Sequence, residues 1–329
     1  MLEHGGRLRA AAKTFGIEEG AWLDLSTGIA PWPWAVPSIP AQAWARLPEA
    51  DDGLEVVACQ YYGAEQALPV AGSQAAIQML PRLRRGGKVG VLGPTYAEHA
   101  EAWRRGGHVV RELAEGEVDD YLDGLDVLVV VNPNNPTGRL LDRDRLLAWE
   151  ARLAARGGWL VVDEAFMDLT PCHSLAAEAG RPGLIVLRSF GKFFGLAGVR
   201  LGFVLAAPRL LAALDEQLGP WAVSGPTRIL GMDCLRDRAG HRRQIERCQS
   251  ASQRLAALLA EYGLAPTGGC GLFQWVRLAE AESWYLALAE RGILVRLFRH
   301  TQSLRFGLPA EEAHFQRLAQ ALAAIAGNN

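Results

Sequence analysis

The chain has 329 residues, half of them hydrophobic and 21% charged, with a formal net charge of −2. That length suits one large α/β domain with a smaller companion, and the near-neutral balance leaves no global basic field for nucleic acid. No run of eighteen apolar residues occurs, so no membrane-spanning helix is expected.

Residues 1–40 begin with a polar stretch that lacks an apolar signal core. Pro31, Pro33, Pro37 and Pro40 follow, and that density predicts an extended arm, not a helix. A helix is predicted over 53–62, and Ala71-Gly72-Ser73 opens the next. From there strands and helices alternate. Strands are predicted at 89–92, 108–113, 127–131, 159–162, 184–187 and 201–205, with helices at 96–105, 142–156 and 208–219. Short, continuously apolar strands between amphipathic helices predict a mainly parallel sheet with helices on both faces. A single long helical stretch is predicted over 226–262. Beyond Gly263, strands at 273–278, 294–298 and 303–306 and helices at 281–291 and 310–326 predict a smaller α+β unit. The expected division is an arm (1–40), a large domain (41–225) and a small domain (226–329) joined by the arm. Five scattered cysteines, Cys59, Cys172, Cys234, Cys248 and Cys270, lack CxxC spacing. They read as reduced thiols in a cytoplasmic protein, and no metal site is expected.

Ligands of open parallel sheets gather at the carboxyl ends of the strands, and five loops there carry distinctive residues. Gly72-Ser73-Gln74 at a helix start suits a phosphate, or is a plain serine N-cap. In Gly93-Pro94-Thr95-Tyr96, the Tyr96 ring could lie on a flat cofactor or simply pack. Asn132-Pro133-Asn134-Asn135-Pro136-Thr137-Gly138 is a rigid turn whose amides can meet a phenolate oxygen. Asp163, opening Asp163-Glu164-Ala165-Phe166, needs a partner inside a closed site, and a protonated pyridine nitrogen would serve. The fifth loop, Ser189 to Arg200, holds Lys192 among glycines and aromatics. Desolvation favours a neutral amine there, a nucleophile toward carbonyls. The chemistry suggested is a Schiff base, most naturally with pyridoxal phosphate.

These loops, in this order, resemble the aspartate-aminotransferase superfamily of pyridoxal-phosphate enzymes, fold type I, over about residues 20 to 325. Asn134-Asn135-Pro136-Thr137-Gly138, Asp163-Glu164-Ala165-Phe166 and Phe194-Gly195-Leu196-Ala197-Gly198-Val199-Arg200-Leu201-Gly202 resemble its histidinol-phosphate aminotransferase branch. The resemblance implies an aspartate-aminotransferase-like α/β fold and a homodimer. It implies that Lys192 carries the cofactor, that Asp163 pairs with its pyridine nitrogen and that Tyr96 stacks on its ring, these three being the candidate catalytic residues. By the same resemblance Asn135 donates to the ring oxygen beside Phe166, while Gly72, Ser73, Gln74, Ser189 and Arg200 hold the cofactor phosphate. His4, Gly5, Gly28, Asn135, Arg296 and Arg305 would bind substrate. Arg305 is assigned to the α-carboxylate, and Arg296, with His4, to a substrate phosphate.

Three positions depart from the family pattern. Phe166 stands where a tyrosine is usual, Gly191 where many relatives have serine, and Leu47 where relatives send a tyrosine into the partner's site. Tyr61 or Tyr62 is a conceivable substitute for the last. His4-Gly5-Gly6 and Phe166 resemble the members of that branch that decarboxylate L-threonine O-3-phosphate to (R)-1-amino-2-propanol O-2-phosphate in cobalamin biosynthesis. The alternatives are a histidinol-phosphate aminotransferase or related class I/II aminotransferase, and a noncatalytic aminotransferase-like ligand sensor. An intact Lys192 and Asp163 argue against the sensor, as does the early start of the recognisable pattern.

Overall fold

A computed structural model describes residues 5–327. The chain divides into two compact units. The larger comprises Pro33–Asn135 and Leu140–His241; the smaller holds the N-terminal segment up to Trp32, Pro136–Arg139 and the chain from Arg242 on.

Strand β1 (Leu23–Asp24) belongs to the smaller unit. The next seven strands, β2 (Leu68–Val70), β3 (Lys88–Leu92), β4 (Val109–Leu113), β5 (Val127–Val131), β6 (Trp159–Asp163), β7 (Leu184–Ser189) and β8 (Gly202–Ala206), form one sheet in the larger unit, ordered β2-β8-β7-β6-β5-β3-β4. All neighbours run parallel except at β8, which is antiparallel to both β2 and β7. Buried β-branched residues fill the centre: every residue of β5, Val-Leu-Val-Val-Val, is buried. Val127 and Val129 join Val161, Ile185, Leu187 and Val204 on one face, packed by Ile77, Trp103 and Leu214 from three helices. Alternation turns Leu128 and Val130 to the other face, where the helix Arg143–Ala154 packs on β6 and buries Leu146, Trp149 and Leu153. The expected sheet, covered on both sides, is thus the one found. The short β2, with Pro69 at its centre, is an edge strand that the sequence pattern did not reveal.

In the smaller unit, β9 (Gly268–Cys270), β10 (Phe273–Arg277), β12 (Arg296–Phe298) and β13 (Ser303–Gly307) make an antiparallel sheet ordered β12-β13-β10-β9. The dipeptide strand β11 (Ile293–Leu294) pairs with β1 instead, in parallel. Two expectations are corrected here. Residues 1–40 are not all extended: Leu8–Phe15 is a helix, closed by Gly16 at φ 68. Its residues Leu8, Ala11, Ala12 and Phe15 share one face and pack on Trp22, Ala289 and Leu294; the prolines begin only after it. The predicted helix over 226–262 is two helices, Gly225–Arg236 and Arg238–Glu261. Asp237 leaves helical geometry with ψ 73, and its side chain accepts from Gly240 N at 2.8 Å, capping the second helix. No helix among the described residues is long and apolar enough to cross a membrane.

Candidate active site

In the larger unit the candidate residues collect where β6, β7 and β8 meet the loops of the sheet's carboxyl edge. Register accounts for the meeting. Gly202 stands opposite Ser189 on one side and Val70 on the other, so the turn Gly72-Ser73 is carried against the start of β8. The fit is close enough to demand glycine. A Cβ on Gly202 would lie 2.5 Å from Ser73 N, and one on Gly72 would lie 2.6 Å from Arg200 Nη2. Gly72, at φ 73, is the N-cap of the helix Ser73–Met79, so Ser73 is its first helical residue and not the N-cap that one sequence reading allowed. Arg200 adopts φ 57, a backbone region rare for side-chain-bearing residues, and its guanidinium lies over Gly72. Two hydroxyl residues, a helix start and a guanidinium in one glycine-shaped cradle are a donor set suited to a phosphate ester.

Asp163 ends β6 and is buried. Its Oδ1 accepts from Ala165 N at 3.0 Å, and its Oδ2 meets His99 Nε2 at 2.9 Å. His99 is a partner that sequence reasoning missed. No signal in its own segment points to Asp163: His99 follows Tyr96 by three residues, and its amide donates to the Tyr96 carbonyl, closing the turn that opens the helix Glu98–Arg105. The Tyr96 hydroxyl reaches Gln74 Oε1 at 3.2 Å, while Gln74 Nε2 donates to Glu98 at 3.0 Å. Tyr96 is pushed up to about 12, first by burial and then by the charges of Glu98 and Asp163, with Arg200 opposing. Tyr96, Asp163 and Arg200 therefore share one electrostatic neighbourhood. Asn134 accepts from Thr95 Oγ1 at 2.7 Å and donates to Pro94 O at 2.9 Å, tying the Asn132–Gly138 loop to the Tyr96 loop.

Lys192 sits on the short helix Phe190–Phe193, which directly follows β7. Phe190, Phe193 and Phe194 are buried and pack among Trp34 and His241, fixing the backbone that bears the amine. Its Nζ lies 5.8 Å from the centre of the Phe166 ring. Lysine and aspartate thus project from the ends of adjacent strands. Gly191 has a steric reason to depart from the family serine: a Cβ there would lie 2.7 Å from Ala197 Cα. Leu47 is exposed. The Tyr61 hydroxyl donates to Asp168 at 3.1 Å, and the Tyr62 ring lies under Arg188.

The smaller unit carries the other candidates. Arg296 and Arg305 stand directly opposite each other across β12 and β13. Arg305 is buried and donates to Ser26 O at 2.9 Å. It is pulled down to about 10 by burial above all, with the like charge of Arg296 adding and Cys270 opposing. Gly28 ends the turn Ser26-Thr27-Gly28, which lies against the end of β13: a Cβ on Gly307 would fall 2.3 Å from Thr27 O. Gly5 packs on Ser26, and His4 lies outside the described residues.

A mainly parallel sheet with a lysine and an aspartate at adjacent strand ends, beside a phosphate-shaped cradle, defines an enzyme of the aminotransferase type. The sequence comparisons agree. The family model "Aminotransferase class I and II" matches residues 44–322, and the chain belongs to that family. It is 64% identical to threonine-phosphate decarboxylase of Pseudomonas aeruginosa over 98% of this chain and 97% of that one. It is 44% identical to threonine-phosphate decarboxylase of Sinorhizobium sp over 98% of each chain. Among solved structures, histidinol-phosphate aminotransferase from Sinorhizobium meliloti in complex with pyridoxal-5'-phosphate superposes with a TM-score of 0.84, covering 99% of this chain and 96% of that one at 21% identity. That likeness is one of fold.

Proposed function

We propose that this chain is a pyridoxal-phosphate-dependent decarboxylase that converts L-threonine O-3-phosphate to (R)-1-amino-2-propanol O-2-phosphate and carbon dioxide, a step of cobalamin biosynthesis. The observation that carries the reading is the 64% identity, over nearly the whole chain, to a threonine-phosphate decarboxylase. The donor chemistry of the larger unit fits the cofactor. Lys192 would hold it covalently, Gly72, Ser73, Gln74, Ser189 and Arg200 its phosphate, and Asn135 its ring oxygen. Asp163 would face its ring nitrogen, with His99 orienting the carboxylate, and Tyr96 its ring face. When bound, the cofactor supplies an electron sink for the pair left at the substrate α-carbon.

The chain's own residues do the rest. Arg305 binds the α-carboxylate and turns it to the angle at which the carbon–carbon bond breaks. Arg296, with His4 and Gly5, binds the substrate phosphate, and Gly28 and Asn135 complete the substrate's surroundings. Two anion contacts fix the substrate's orientation as one could not, and orientation decides which bond at the α-carbon is lost. Lys192 Nζ delivers the proton that replaces the departing carboxylate, so that one C–C bond is exchanged for one C–H bond. The phenyl ring of Phe166 packs near that amine without offering a hydroxyl.

The chain acts as a cytoplasmic homodimer in this reading. Val36, Trp44, Leu47, Val56 and Trp221, all in the larger unit, expose apolar surface that a second copy would cover. The test is direct. Purified enzyme given threonine phosphate releases one carbon dioxide per amino-propanol phosphate formed, and Lys192→Ala abolishes the release. Turnover of histidinol phosphate with 2-oxoglutarate, and no carbon dioxide from threonine phosphate, overturns the reading in favour of an aminotransferase.

A further inference from the structure

In the smaller unit a groove of about 390 Å³ is lined by Gly5, Gly6, Arg7, Ser26, Arg296 and Arg299, with apolar side chains such as Phe15 and Leu297 forming the rest of its wall. Arg299 is paired with Glu282 at 3.1 Å, and Arg7 and Arg296 give the groove a cationic wall that favours an anion. Ser26 is buried at its edge and makes more connections than its size suggests. The Gly6 amide donates to Ser26 Oγ at 2.8 Å, and Ser26 Oγ–H donates in turn to Asp24 Oδ1 at 2.6 Å. Its own amide donates to the same carboxylate oxygen at 2.9 Å. On its other side the Ser26 carbonyl accepts from Arg305 Nη2. Gly5 lies so close to that carbonyl that a Cβ would be 2.4 Å from the oxygen. One residue therefore holds the Gly5–Arg7 wall through its hydroxyl and Arg305 through its backbone.

We infer that Ser26 is a positioning residue for the phosphate end of the substrate: its hydroxyl fixes the Gly5–Gly6 backbone that walls the groove shared with Arg296. The inference rests on the proposed decarboxylase reading and deepens it. The two roles of Ser26 are chemically separable, because Ser26→Ala removes the hydroxyl and leaves the carbonyl in place. Phosphate recognition should weaken while carboxylate recognition by Arg305 stays.

The experiment uses holoenzyme. In Ser26→Ala, KM for threonine phosphate and the inhibition constant of inorganic phosphate should both rise about tenfold, the worth of one hydrogen bond. The kcat value should stay within about twofold, and the affinity for unphosphorylated L-threonine should not move. Ser26→Thr, which keeps the hydroxyl, should restore phosphate affinity. Equal weakening for threonine and threonine phosphate, unchanged phosphate affinity in Ser26→Ala, or failure of Ser26→Thr to restore it, each overturns the inference. Phosphate affinity is also read by thermal-melt protection, without turnover. A wild-type enzyme that releases no carbon dioxide therefore sinks the decarboxylase reading, while the Ser26 variants still decide the role of the serine.

Discussion

Arg188 and Arg305 are both buried, and their surroundings are opposite. Arg188, on β7 in the larger unit, pairs with Glu164 at 2.7 Å and Asp168 at 2.8 Å and lies over the Tyr62 ring. Those two carboxylates hold it well above the ordinary guanidinium range against the effect of burial. Glu164 also accepts from Ser174 and from Leu175 N, and burial pushes it up. Arg305, in the smaller unit, stands across from another arginine and is pulled down to about 10. The contrast separates a fold-holding role from the proposed substrate-binding one. A buried cation neutralised by its own chain has its partners already and serves the fold. A buried cation next to a like charge gains most from an anion that arrives from outside.

Four experiments press on that contrast, beginning with the largest expected effect. Arg188→Met leaves two buried carboxylates without their cation, and should cost about 3–5 kcal/mol of stability, measured by denaturant unfolding. A loss below 1 kcal/mol would mean that the cluster is not the structural anchor described. Arg305→Met should leave stability nearly unchanged, since it removes a charge that burial already disfavours. It should lower kcat/KM for threonine phosphate by a few hundredfold, or about 3 kcal/mol. If its unfolding curve moves as far as that of Arg188→Met, the two arginines do not differ in kind. His99→Asn removes an imidazole contact to the Asp163 carboxylate and should lower kcat about tenfold, about 1.4 kcal/mol, without raising KM; an unchanged kcat would reduce His99 to packing. The smallest effect is in pH. Arg305 keeps its charge below about 10 and loses it above, so KM should be about doubled at that pH and climb further as pH rises. A KM that stays flat to pH 11 would show that no cation of lowered pKa holds the substrate.

The candidate residues of the larger unit could be picked out in the sequence because each carries a local signal. Lys192 announces itself by its glycine and aromatic neighbours, Asp163 by its place at the end of an apolar strand, and the Asn132–Gly138 turn by its own composition. Hydrophobic periodicity likewise revealed the mainly parallel sheet, whose strands must be apolar on both faces to be covered by helices. What escaped were relations between distant residues. His99 and Asp163 are 64 positions apart, and nothing in either segment's pattern joins them. The helix Leu8–Phe15 was hidden because its stabilisation comes from packing on Trp22, Ala289 and Leu294, while the nearby prolines spoke for extended chain.

The amino-acid sequence by itself determined the residue types available at each strand end, and with them the kind of cofactor. Tertiary structure alone decided which of those residues meet. It set Gly202 against Ser73, left no space for a serine at Gly191, and tied Ser26 to both the Gly5–Gly6 backbone and Arg305. The physical reason is one of range. Propensity and periodicity act over a few residues, whereas steric exclusion, charge pairing and burial act between whichever segments the fold brings within a few ångströms.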